Sequence, residues 1–121
     1  MSPSRFLIGV VDDDPHVLES FEELLSSGGY RVSAFHSGAS FLAAGGFPRV
    51  DCLITDIEMP VVDGWELLRI ARRDYRDLPV ILITGIDLEA RQLLDAQAAR
   101  HVFKKPFDGR EFLRVLDDIL G

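Results

Sequence analysis

Two periods of apolar residues organise this chain. Residues 6–11, 52–55 and 79–84 are charge-free apolar runs, as in strands buried on both faces of a parallel sheet. Residues 30–35 alternate instead and predict a half-exposed edge strand, and residues 101–104 predict a short fifth strand. Helical spacing fills the gaps. Val17, Leu18, Phe21, Leu24 and Leu25 make one stripe on a helix that Asp14 and Pro15 open and Gly28-Gly29 close. Ser37 caps a short helix through Phe41 and Leu42, ending at Gly45-Gly46. A third helix follows Gly64 through Trp65, Leu68 and Ala71, with Arg72 and Arg73 in its last turn, where positive charge suits the dipole. Residues 88–99 are helical by composition, with Leu93 and Leu94 as apolar anchors. Asp108 and Glu111 have capping-box spacing for a last helix that buries Phe112, Leu113, Leu116, Ile119 and Leu120.

Five strands alternating with five helices over short connections predict an α/β fold, a parallel sheet covered by helices on both faces. At 121 residues the chain is one domain, 1–121, ordered from about residue 5 to 120. A net charge of −7 excludes a non-specific nucleic-acid surface, which needs clustered Lys and Arg. The single cysteine, Cys52, excludes an internal disulfide, suits a reducing compartment and lies in a core strand. No stretch approaches the roughly 18 apolar residues of a membrane helix. Residues 1–5 lack the architecture of a signal peptide. The expectation is a cytoplasmic protein that meets neither membrane nor nucleic acid.

In a parallel sheet the carboxyl ends of all strands share one edge, where open α/β sheets bind ligands. The first strand delivers Asp12 and Asp13 to that edge, the third Asp56, the fourth Thr84 and the fifth Lys105. One helix cap needs one carboxylate, and Asp14 supplies it. The remaining acids repel one another unless a cation sits among them. Hard oxygen ligands in small number suit Mg2+ better than zinc or a caged calcium. With a metal on Asp12 and Asp13, Asp56 is placed to act as a carboxylate nucleophile taking a phosphoryl group. Lys105 and the Thr84 hydroxyl would then hold further phosphoryl oxygens. Pro106 restricts the backbone at Lys105, which favours an aimed lysine over a solvated one.

These residues carry a resemblance. Val-Val-Asp12-Asp13, Asp56-Ile-Glu-Met-Pro60 with Gly64, Ile-Thr84-Gly and Lys105-Pro106-Phe107, in that order, resemble the receiver domain of bacterial two-component response regulators over essentially the whole chain. The resemblance implies a three-layer αβα fold with strand order 2-1-3-4-5 (flavodoxin-like). It implies Asp56 as phosphoacceptor, with Mg2+ or Mn2+ held by Asp13 directly, by Asp12 and Asp56, and by the Glu58 backbone carbonyl. Thr84 and Lys105 would bind the phosphoryl group, and a sensor histidine kinase or phosphotransfer protein would donate it. A homodimer through the fourth helix, fifth strand and fifth helix is a further implication.

The sequence departs from the family at one informative place. An aromatic residue usually stands three positions before the lysine of the Lys-Pro pair; here it is Val102. Phe103 is one residue off and should face the other side of the sheet. Three other functions compete. A haloacid-dehalogenase-type phosphatase would use Asp12 and Asp14, but Pro15-His16 follows and no cap domain is present in this sequence. A flavodoxin-like cofactor module would need a Gly-rich phosphate loop after the first strand. A receiver-shaped adaptor independent of phosphorylation is the nearest alternative. His16, His36 and His101 show no metal-ligand spacing.

Overall fold

The computed structural model describes residues 6–121; the expected start of order near residue 5, and the reading of residues 1–5, fall outside them. Strands β1 (Leu7–Val11), β2 (Arg31–Phe35), β3 (Cys52–Asp56), β4 (Val80–Thr84) and β5 (His101–Lys104) alternate with helices α1 (Pro15–Ser27), α2 (Gly38–Ala43), α3 (Gly64–Asp74), α4 (Ala90–Ala96) and α5 (Gly109–Leu120). All neighbours pair in parallel, in the order β2-β1-β3-β4-β5. The expected fold class is therefore the one observed, with β2 and β5 at the edges.

Period-two alternation sorts the strand side chains into two cores. Ile8, Val10, Cys52, Ile54, Ile81, Ile83 and Phe103 face α1 and α5, meeting Leu18, Phe21, Leu25, Phe112 and Leu116. Val11, Leu53, Val80 and Leu82 face the other way, onto Phe41, Leu67, Leu68 and Ala71. Val102 joins this second core and Phe103 the first, as alternation requires. Burial pushes the Cys52 thiol up to about 12, which leaves it a core hydrophobe. At the far end of the sheet the buried Tyr30 hydroxyl donates to Asp117 of α5, and burial together with that carboxylate raises its pKa.

Caps agree with the sequence at three helices, and Asp63 adds one not expected from it. The carboxylate of Asp14 accepts from His16 N, that of Asp63 from Glu66 N and that of Asp108 from Arg110 N, while the Ser37 hydroxyl accepts from Ser40 N. The fourth helix departs from expectation. It spans Ala90–Ala96 only, and three-residue turns through Ala99 bring the chain back to pair Arg100 N with Val80 O at 2.8 Å. Leu93 and Leu94 are not its anchors: they are 55% and 66% exposed, and Ala96 is the buried residue. With seven residues, α4 turns a single narrow face inward, the one bearing Gln92 and Ala96 at i and i+4. The two leucines fall outside it.

This packing separates two kinds of apolar position. Phe112 is fully buried among Phe21, Phe103 and Phe107, with ring centroids 4.6–5.4 Å away. Phe112→Ala is expected to lower unfolding free energy by about 3–5 kcal/mol in urea titrations, against about 0.5 kcal/mol or less for Leu93→Ala and Leu94→Ala. Equal losses at all three positions would contradict this assignment of faces.

Candidate functional site

The strand register aligns the site. Val11 pairs with Thr55, Asp56 with Ile83 and Thr84 with Lys104, so the residues that end β1, β3, β4 and β5 reach one edge together. After β1, the Asp12 carboxylate accepts from Asp14 N at 2.9 Å and braces the turn into α1. After β3, the chain folds back so that Gly64 N donates to Ile57 O at 2.9 Å. Gly64 is required here: a Cβ would lie 2.5 Å from the Asp56 carbonyl oxygen. On the same loop Val61 has φ +67° and is 98% exposed, a β-branched residue in the left-handed region. Backbone strain of this kind gathers at functional loops.

Asp12 and Asp56 are buried, 2% and 6% exposed, while Asp13 stands at the mouth. Their carboxylate oxygens, one from each residue, lie within 4.8 Å of one another, close enough to share a cation. Among the described residues, Lys105 supplies the one ammonium placed among them. Its Nζ donates to Asp12 Oδ2 at 3.3 Å and stands 3.5 Å from Asp56 Oδ1, an ion-pair distance. The Lys105–Pro106 peptide is cis.

One ammonium does not balance three carboxylates. Burial first, and then the Asp12 and Glu58 charges, push Asp56 up to about 6, with Lys105 pulling the other way. Burial also raises Asp12, against the Asp14 amide and Lys105, which lower it. Burial alone would lower Lys105, but the two carboxylates outweigh it and hold its pKa above the ordinary lysine value. Asp56 Oδ1 is a buried oxygen with no hydrogen-bond partner. A buried anion that shares one ammonium with two more carboxylates fits a hard divalent cation.

Asp12, Asp13, Asp56 and Lys105 thus converge as expected. Thr84 reaches the same edge but is already engaged: its hydroxyl donates to the Glu58 carboxylate, 3.1 Å from each oxygen. The sequence suggested the Glu58 backbone as a metal ligand and Glu58 as a flank of the pocket, without this contact. Its place two residues past Asp56 was the available signal, and its partner on β4 needed the strand order. Asp63, also near Asp56 in sequence, is the N-cap of α3.

Known proteins resemble this chain in sequence and fold. The family model described as the response regulator receiver domain matches residues 8–117. The chain is 39% identical over 113 residues to the response regulator MprA of Mycobacterium ulcerans, a match covering 92% of this chain and 48% of that protein. It is 34% identical to the transcriptional regulatory protein FixJ of Azorhizobium caulinodans, covering 98% and 57%. The chain therefore spans about half the length of these relatives. Among solved structures, the response regulator TrrA of Thermotoga maritima, in complex with Mg2+-BeF, superposes with a TM-score of 0.84 at 30% identity, covering 94% of this chain and 98% of that one. No helix among the described residues is long and apolar enough to cross a membrane. The family match runs through every strand and all four convergent residues, and the chain belongs to the family of response regulator receiver domains.

Proposed function

We propose that this domain is a phosphoacceptor of two-component signalling, in which Asp56 takes a phosphoryl group from a histidine kinase or phosphotransfer protein. The observation that carries this reading is the state of the Asp56 carboxylate. It is buried, its Oδ1 has no hydrogen-bond donor, and Lys105 stands 3.5 Å away. An oxygen held only by a long ion pair keeps a lone pair available to attack phosphorus. The Asp56 O–P bond forms as the P–N bond of a phosphohistidine donor breaks, its electron pair returning to the imidazole nitrogen. Lys105 Nζ, already between Asp12 and Asp56, stabilises charge on the transferred phosphoryl oxygens. The Thr84 hydroxyl, one residue past the strand partner of Asp56, is the second donor.

Asp12, Asp13 and Asp56, with the Glu58 backbone carbonyl, would hold Mg2+ or Mn2+. When bound, that cation supplies the charge neutralisation an anionic donor needs to approach three carboxylates. The partner-binding face is α4, β5 and α5, where Leu93 and Leu94 stand exposed. It is also the face through which a homodimer would form. Val102 has no ring to rotate, so no aromatic side chain at this position carries a change at Thr84 to this face.

Two outcomes follow. Incubation with acetyl phosphate and Mg2+ should add one phosphoryl group by intact-mass spectrometry, with no gain for Asp56→Asn or in EDTA. A native chain that binds Mg2+ yet stays unmodified by acetyl phosphate and by phosphohistidine donors would favour the adaptor reading. The second outcome concerns pH. Asp56 is raised from 3.8 to about 6, so the folded chain holds that proton more tightly than the unfolded one. Metal-free stability from this group therefore falls as pH rises from about 4 to about 6. Carbon-13 NMR of aspartate carboxyls in EDTA should show one signal titrating near 6, absent in Asp56→Asn and moved down by Mg2+. Uniform titration near 4 would contradict this.

A further inference from the structure

We propose that the Glu58 side chain is an internal anion that occupies the Thr84 hydroxyl until a phosphoryl group on Asp56 displaces it. This inference rests on the phosphoacceptor reading above. Thr84 Oγ1 lies 3.1 Å from both Glu58 carboxylate oxygens, and Gly85 N donates to Glu58 Oε1 at 3.4 Å. Two donors at the end of β4 thus converge on one carboxylate that belongs to the loop after Asp56.

The argument is one of stoichiometry. A hydroxyl carries a single hydrogen, so Thr84 cannot donate to Glu58 and to a phosphoryl oxygen at once. Its acceptor capacity is used separately, by Ile86 N at 3.2 Å. Thr84 is 2% exposed, so its hydrogen has few acceptors to choose from: besides the Glu58 oxygens at 3.1 Å, the Ile86 carbonyl oxygen lies farther, at 3.3 Å. Glu58, in contrast, is exposed and can be rehydrated when it lets go. A hydrogen bond to a carboxylate is stronger than one to a neutral acceptor, and an anionic phosphoryl oxygen is the kind of competitor that can replace it. Glu58 therefore acts as a positioning residue through Thr84. It favours the unmodified arrangement of the β4–α4 segment and sets how strongly a phosphoryl group must compete for it.

Glu58 also places negative charge near Asp56, and the test separates that effect from the hydrogen bond. Glu58→Gln removes the charge and keeps an acceptor for Thr84; Glu58→Ala removes both. Two quantities are read for each protein with Mg2+ present: the rate of phosphoryl gain from acetyl phosphate, and the beryllofluoride concentration that half-saturates the domain by NMR. The alanine variant should gain the phosphoryl group about two- to tenfold faster than the glutamine variant and half-saturate at an about two- to tenfold lower beryllofluoride concentration, the range of one net hydrogen bond. In a Thr84→Val background, isosteric and lacking the hydroxyl, this difference should vanish. If the two Glu58 variants behave alike, or if their difference survives Thr84→Val, the latch is overturned and Glu58 acts through charge alone. If the native chain gains no phosphoryl group and binds no beryllofluoride, the phosphoacceptor reading fails first and the latch with it. Glu58 is on the surface and Thr84→Val preserves volume, and native amide spectra for every variant verify folding.

Discussion

Three carboxylates share a half-closed crevice with one ammonium. The placement of Asp12, Asp13 and Asp56 beside Lys105 is unfavourable in isolation, because burial disfavours charge and like charges repel. Everything around it serves to hold the arrangement regardless. The parallel register brings four strand ends to one level, the Asp14 amide braces Asp12, and Gly64 lets the chain after β3 pack against the Asp56 backbone. Two apolar cores, one on each face of the sheet, supply the stability that the site spends.

The same imbalance explains the chemistry. A fully paired Asp56 would be a stable structural residue and a poor nucleophile. Here Oδ1 keeps an unengaged lone pair, and the local deficit of positive charge suits a hard cation and, with it, a phosphoryl group. Thr84 would add a second level of control under the proposed latch, since its hydroxyl lies 3.1 Å from both Glu58 carboxylate oxygens. Charge deficit at Asp56 and donor occupancy at Thr84 are two faces of one state, the unmodified domain.

Much of this was legible in the residues. Charge-free runs announced the central strands because only strands covered on both faces tolerate them. Asp12, Asp13, Asp56 and Lys105 were placed by the rule that parallel strands end on one edge. What was not legible came from tertiary geometry. The α4 segment has a helical composition, but its end is set by where Arg100 must meet Val80, so Leu93 and Leu94 lost their expected role. The Glu58–Thr84 contact joins residues 26 positions apart, across neighbouring strand ends, and no local pattern encodes it. Phe103 was different: alternation alone put it in the core with Phe112 and left Val102 on the α4 side.

The most direct test of a site held against its own repulsion is the stability of Asp56→Asn beside the native chain, by urea unfolding at pH 7, in EDTA and in Mg2+. Without metal the variant should be more stable by about 1–3 kcal/mol, since it removes a buried, incompletely paired charge. Mg2+ should stabilise the native chain and leave the variant little changed, narrowing or reversing the gap. A variant less stable than the native chain in EDTA would contradict the central claim. It would mean that Asp56 is already satisfied by Lys105 and is a structural residue rather than a poised one.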